Sequence, residues 1–147
     1  MNEERSRHDA GDRSAAGKNP EAAPIVMVTA YDFASARLAD AAGVDMILVG
    51  DSAATTLLGY ATTRELPVEE LLMLTRAVAR GVTRAMVIGD LPFGTYEESD
   101  ELAVATARRF AAAGCKAVKL EGAGVMVDRA RAIIAAGIPV IGHVGLL

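Results

Sequence analysis

The chain has 147 residues, 52% hydrophobic, 23% charged and only 4% aromatic, with a net charge of −4. That is enough for one domain with its own core, built from aliphatic side chains. The acidic balance excludes nucleic acid and an anionic membrane surface as main partners, and no apolar run reaches the roughly 18–20 residues of a membrane span. Residues 1–24 mix both charge signs with small side chains and lack the apolar centre of a secretory signal, so they read as a disordered tail ahead of one folded unit at 25–147. Ile25-Val-Met-Val-Thr29 is short and apolar, like a buried strand, and Phe33 to Ala42 is an Ala-rich helix ending at Gly43. Val44–Val49 is a second strand, closed by Gly50-Asp51-Ser52, and a looser stretch runs to Thr63. Pro67 opens a helix with Glu69 and Glu70 in its first turn, where carboxylates suit the helix dipole, and that helix ends near Arg80-Gly81. Arg84–Ile88 is the third strand, followed by Gly89-Asp90 and a helix over about Glu98 to Ala113. Lys116–Leu120 is the fourth strand, ending at Glu121-Gly122, and about Val125 to Ala136 the fourth helix. Ile138–Ile141 is the fifth strand, with Gly142-His143 behind it.

Helix, glycine, apolar strand and polar residue therefore recur, with Gly43, Gly81, Gly114 and Gly137 in equivalent places. Such alternation means a parallel sheet, either doubly wound or a (β/α)8 barrel. Asp32, Asp51, Asp90, Glu121 and His143 all fall at or just past strand C-terminal ends. In a barrel those ends converge on one mouth, whereas an open sheet spreads them along a line. No G-x-G-x-x-G or Walker A pattern supports a nucleotide fold, so a TIM barrel is expected, of which five βα units are present.

Crowded carboxylates need a cation, and Mg2+ typically takes one or two of them, leaving positions for substrate and water. Asp51, Asp90 and Glu121 are the candidate metal residues; the alternative is that Asp51 and Asp90 cap the helices that follow them. Lys119 lies two residues before Glu121 and shares its facing, so it either binds a substrate carboxylate or neutralises Glu121. Ser52 either donates to a substrate oxygen or serves its turn. His143 reads as polar lining of the mouth more than as an acid–base group or a structural hydrogen-bonder, and Tyr31-Asp32 more as a helix cap than as part of the mouth. The single Cys115 excludes an intrachain disulfide and a multi-Cys zinc site, lies at the opposite end from the mouth, and suits a reducing cytoplasm.

Six blocks carry a resemblance: Val28-Thr-Ala-Tyr-Asp-Phe33, Ala42-Gly-Val-Asp through Leu48-Val-Gly-Asp-Ser52, Arg76-Ala-Val-Ala-Arg-Gly81, Asp90-Leu-Pro-Phe-Gly-Thr-Tyr96, Ala117-Val-Lys-Leu-Glu-Gly122 and Gly137-Ile-Pro-Val-Ile-Gly-His-Val-Gly145. In order and spacing they resemble the signature of the ketopantoate hydroxymethyltransferases. The resemblance implies a barrel of the phosphoenolpyruvate mutase/isocitrate lyase superfamily. It implies hydroxymethyl transfer from the co-substrate 5,10-methylenetetrahydrofolate to 3-methyl-2-oxobutanoate, giving 2-dehydropantoate for pantothenate and coenzyme A, through a Mg2+-stabilised enolate. It makes Asp51 and Asp90 metal ligands, Glu121 a third metal-site carboxylate, and Asp51, Ser52, Asp90 and Lys119 contacts to the 2-oxo acid.

The chain departs from that pattern at Ala53-Ala-Thr55, at Thr63-Arg-Glu-Leu-Pro67, at Leu74, where the family often has His, and at Ala123. These positions surround the mouth, so substrate preference is open to change. The family continues beyond the equivalent of Leu147 with three more βα units, which hold its proton-abstracting Glu; the resemblance therefore assigns no residue of this chain to that role. Two other functions stay open: another 2-oxo acid lyase or mutase of the superfamily, and an inactive barrel fragment. Five strands leave two open edges and inward apolar side chains in contact with water, so a homo-oligomer is expected.

Overall fold

A computed structural model of the chain describes residues 23–145. The expectation of a disordered tail falls outside the described residues except at Ala23 and Pro24, which are exposed and without regular structure. Five parallel strands, β1 Met27–Thr29, β2 Met46–Val49, β3 Met86–Asp90, β4 Ala117–Glu121 and β5 Val140–His143, pair in chain order. Four helices connect them: α1 Phe33–Ala42, α2 Val68–Gly81, α3 Asp100–Ala112 and α4 Met126–Ala135. A doubly wound sheet reverses its strand order at a switch point; this one does not, so it curls as a barrel segment.

The two faces of the sheet have different fates. Ile47, Val49, Val87, Val118 and Leu120 point to the helices and are buried with Leu71, Val78, Ala107 and Phe110 of α2 and α3. Burying such a side chain contributes roughly 1.5–3 kcal/mol. Alternate residues Met27, Leu48, Lys119 and Ile141 line the concave face, where Met27 and Met86 stay 44% and 37% exposed. On this same face Ile88 and Asp90 are nevertheless buried, so the expected burial on both faces holds throughout on the helix side and in part on the concave side.

Local chemistry explains the helix boundaries. Asp32 caps α1, accepting from the backbone N–H groups of Ala34 and Ser35 at 2.8 and 2.9 Å. Ser99 caps α3 through the N–H of Leu102 at 3.1 Å. Gly43, Gly114 and Gly137 take positive φ behind their helices, but Gly81, expected to match them, does not. It is the last residue of α2, and a Cβ there would come within 2.6 Å of the Phe33 carbonyl oxygen, so it is needed for close packing on α1. The stretch read as a loose loop contains a π-helix, Ala54–Leu58, and a 3-10 turn, Thr63–Glu65. Buried Ala53 and Ala54 anchor it to the core.

Candidate active site

The strand register sets the site. Asp90 of β3 is paired with Lys119 of β4, and Glu121 of β4 with His143 of β5. All four therefore project from neighbouring strands at their C-terminal ends, onto the concave face. They line a cavity of about 710 Å3 together with Asp51 and Ser52, which follow β2.

Asp90 is the most enclosed of these residues, at 2% exposure. Its Oδ2 accepts the backbone N–H of Asp51 at 3.1 Å, and its Oδ1 lies 2.8 Å from Lys119 Nζ. Oδ1 is shielded from water and receives no hydrogen bond of proper direction. Burial pushes the Asp90 carboxyl up to about 6, against the pull of Lys119, and the neighbouring charge of Asp51 adds to the rise. Burial also works against the Lys119 ammonium, but Asp90 and Glu121 outweigh it and hold its pKa above the ordinary lysine value. Lys119 thus sits between two acids, 3.3 Å from Glu121 Oε1. The sequence offered Glu121 as its partner; the shorter contact is to Asp90, because β3 and β4 bring the two into register.

Glu121 faces elsewhere too. Its Oε1 lies 2.5 Å from His143 Nδ1, and although burial raises its pKa, His143 and Lys119 bring it below the usual glutamate value. His143 lines the cavity as expected and is also the hydrogen-bonding partner of the acid opposite it. Tyr96 reaches across from the loop after β3: its hydroxyl donates to the Glu121 carbonyl and accepts from the Glu121 N–H, both at 3.2 Å. Tyr31 bonds Ser52, hydroxyl to hydroxyl, at 2.8 Å, so it belongs to the mouth while its neighbour Asp32 caps α1. Neither Asp51 nor Asp90 caps a following helix through its side chain. Tyr96 and Tyr31 were not singled out as bonding partners from sequence, because a tyrosine hydroxyl's partner depends on which loops meet.

Among the described residues, no group of three or more His, Cys, Asp or Glu is placed to hold a metal ion. Asp51 and Asp90 nonetheless fit a hard cation as a pair. The Asp51 carboxylate accepts no hydrogen bond among the described residues, the shielded Asp90 Oδ1 lacks a directed donor, and the two like charges repel. Glu121 is turned to Lys119 and His143, at the far side of the lysine from Asp90. Cys115 lies at the opposite end, buried among apolar groups that push its thiol up to about 12, and is unreactive.

Parallel strands paired in order, with their polar side chains gathered at one rim, make a segment of a (β/α)8 barrel. Solved structures of the phosphoenolpyruvate mutase/isocitrate lyase superfamily share it. A 2,3-dimethylmalate lyase of that superfamily matches 80% of this chain and 47% of its own, with TM-score 0.62 and 20% identity. A phosphonopyruvate hydrolase solved with oxalate and Mg2+ matches 79% of this chain and 46% of its own, with TM-score 0.65 and 19% identity. Sequence narrows the class: the chain belongs to the ketopantoate hydroxymethyltransferase family, whose model matches residues 14–147. A 3-methyl-2-oxobutanoate hydroxymethyltransferase from Ignicoccus hospitalis is 53% identical over 122 residues, which are 83% of this chain and 46% of the relative. The chain thus spans about half the length of the curated relatives it matches. Among the described residues no helix is long and apolar enough to cross a membrane.

Proposed function

We propose that this chain supplies the metal and 2-oxo acid sites for hydroxymethyl transfer from 5,10-methylenetetrahydrofolate to 3-methyl-2-oxobutanoate, giving 2-dehydropantoate for pantothenate synthesis. The observation that carries the reading is the buried Asp90, held against Lys119 inside a cavity that Asp51 and Ser52 also line. Asp51 and Asp90 would hold Mg2+, while Glu121, expected as a third metal-site acid, stays with Lys119 and His143. When bound, the ion supplies Lewis acidity that favours loss of the C3 proton from a 2-oxo acid. Lys119 presents an ammonium to the substrate carboxylate, a charge-assisted contact that also orients the acid. Ser52 adds a hydroxyl donor, itself positioned by Tyr31. Glu121 and His143 restrain the lysine from its other side, so its charge stays in the cavity. The lone buried thiol suits a reducing cytoplasm.

Calorimetric titration tests the reading. Mg2+ should bind the folded chain, and 3-methyl-2-oxobutanoate should bind more tightly with Mg2+ present. The double variant Asp51→Asn with Asp90→Asn, shown folded by circular dichroism, should lose both effects. Equal Mg2+ binding by that variant would remove the site assignment.

A further inference from the structure

Strand β3 ends two residues short of its neighbour β4. Its last pairing is Asp90 with Lys119, whereas β4 runs on to Glu121. Leu91 still donates its N–H to the Lys119 carbonyl at 2.8 Å, but the next residue is Pro92, which has no N–H to give. The chain then turns, the Thr95 N–H closing on the Pro92 carbonyl at 3.1 Å with Gly94 at φ 84°. Along β4, Val118 and Gly122 donate toward β5, to the Pro139 and His143 carbonyls. Glu121, like Lys119, therefore turns its N–H and C=O toward β3, where the strand has already stopped. The Tyr96 hydroxyl fills that gap, donating to the Glu121 carbonyl and accepting from the Glu121 N–H. It is itself held firmly. Buried Thr106 of α3 donates to the Thr95 carbonyl at 2.7 Å, and Glu97 Oε2 accepts the Gly94 and Tyr96 N–H groups at 2.8 and 3.2 Å. Tyr96 is 4% exposed, and burial pushes its phenol up to about 12, so it keeps the proton it donates.

We propose that Tyr96 is a positioning residue for the inner cavity that Asp90 and Lys119 line: its hydroxyl replaces the interrupted β3 backbone, fixes the end of β4, and so aims Glu121 and the Lys119 ammonium. The path is short. Glu121 Oε1 lies 3.3 Å from Lys119 Nζ, and the same ammonium reaches Asp90 Oδ1 at 2.8 Å. A lysine stem has four rotatable bonds, so its charge stays in one place only while its partners do. Asp90 is fixed by β3 and by the Asp51 N–H; Glu121 stands on a strand end whose β3 side is held by Tyr96 alone among the described residues. A hydroxyl suits the post because it donates and accepts at once, as the lost backbone would have done. The inference rests on the proposed function for the ligand that Lys119 meets, a 2-oxo acid.

The test is Tyr96→Phe, which keeps the ring and removes only the hydroxyl, placed in a double-mutant cycle with Lys119→Met. With Mg2+ present, Tyr96→Phe should weaken 3-methyl-2-oxobutanoate about tenfold, the scale of one hydrogen bond to a charged group. Mg2+ alone should bind as before, since Asp51 and Asp90 belong to β2 and β3. In a chain that already carries Lys119→Met, Tyr96→Phe should change the affinity no further, because it acts through the missing ammonium. An unchanged affinity in the single variant overturns the proposal, and so does an equal loss in both backgrounds, which is the mark of a merely structural role. The Lys119 ammonium signal in a nitrogen–proton NMR spectrum gives a readout without ligand: Tyr96→Phe should move and broaden it. A wild-type chain that does not bind the 2-oxo acid defeats the acceptor reading and leaves this signal to decide, a moved signal upholding the role of Tyr96 and an unmoved one overturning it. Where Tyr96→Phe does not fold, Thr106→Val carries the same tests, since it frees the turn that holds Tyr96 and leaves the hydroxyl in place.

Discussion

Lys119 and Asp90 are direct partners across the β3–β4 pairing, their charged atoms 2.8 Å apart and their side chains only 11% and 3% exposed. A pair so enclosed has surrendered most of its hydration, and the return in stability is small or negative when compared with apolar side chains. Its retention at the rim of a cavity suits a binding role. Replacing Lys119 with Met should therefore weaken 3-methyl-2-oxobutanoate by about 1.5–3 kcal/mol, the scale of a charge-assisted hydrogen bond. Titration calorimetry reads this directly. Unchanged affinity would reduce Lys119 to a neutraliser of Asp90.

The raised pKa of Asp90 has a definite sign in stability. Its carboxyl titrates near 6 in the fold against 3.8 as the ordinary value, because burial disfavours the anion. The folded state therefore holds the proton more tightly than the unfolded chain. The corresponding stability is complete below pH 3.8 and lost as pH rises to about 6. Two pH units correspond to about 3 kcal/mol, as an order of magnitude. Asp90→Asn removes this dependence. Urea unfolding across that window should show the variant gaining on the wild type as pH rises; parallel curves would contradict the burial argument.

Asp40, in the last turn of α1, is a structural counterpart. It is buried, and its carboxylate accepts from the Thr83, Arg84 and Ala85 backbone N–H groups and from the Thr83 hydroxyl, at 2.7–3.0 Å. These donors, led by the Ala85 N–H, outweigh burial and hold its pKa far below the usual aspartate range. Its contribution is thus present above the ordinary pKa and lost as pH falls through the lower folded value. Asp40→Ala leaves those amides without an acceptor and should cost on the order of 3 kcal/mol, measured by urea unfolding at neutral pH. A loss below about 0.5 kcal/mol would show that water replaces the carboxylate.

Gly89 of β3 has no room for a side chain. An added Cβ would overlap the Phe110 ring and come within 2.8 Å of Cys115 Sγ. Gly89→Ala should destabilise by about 1–3 kcal/mol through overpacking. Because the clash is with one ring, Phe110→Leu should cost less in a chain that already carries Gly89→Ala than it does alone. Additive losses in the double-mutant cycle would show that the strand shifts instead.

The order of strands and helices was legible in the residues, because period and punctuation act locally. The α1 boundaries, Phe33 to Ala42, follow from Asp32 as cap and Gly43 as stop, and the acids and lysine that line the inner cavity could be placed at strand ends by counting. The family, too, was legible in the six blocks, and the match over residues 14–147 agrees. Which polar groups touch was not legible. Lys119 meets Asp90 more closely than Glu121, and His143 meets Glu121, because strand register joins residues 29 and 22 positions apart. The π-helix at Ala54–Leu58 escaped reading because five residues that include two β-branched threonines are too short to show a helical period. Asp40 escaped because its four donors come from a loop more than 40 residues away. Local sequence determines where an element starts, stops and faces, since those depend on neighbours along the chain. Contact, burial and the pKa shifts that follow from them depend on neighbours in space, and only the folded sheet supplied those.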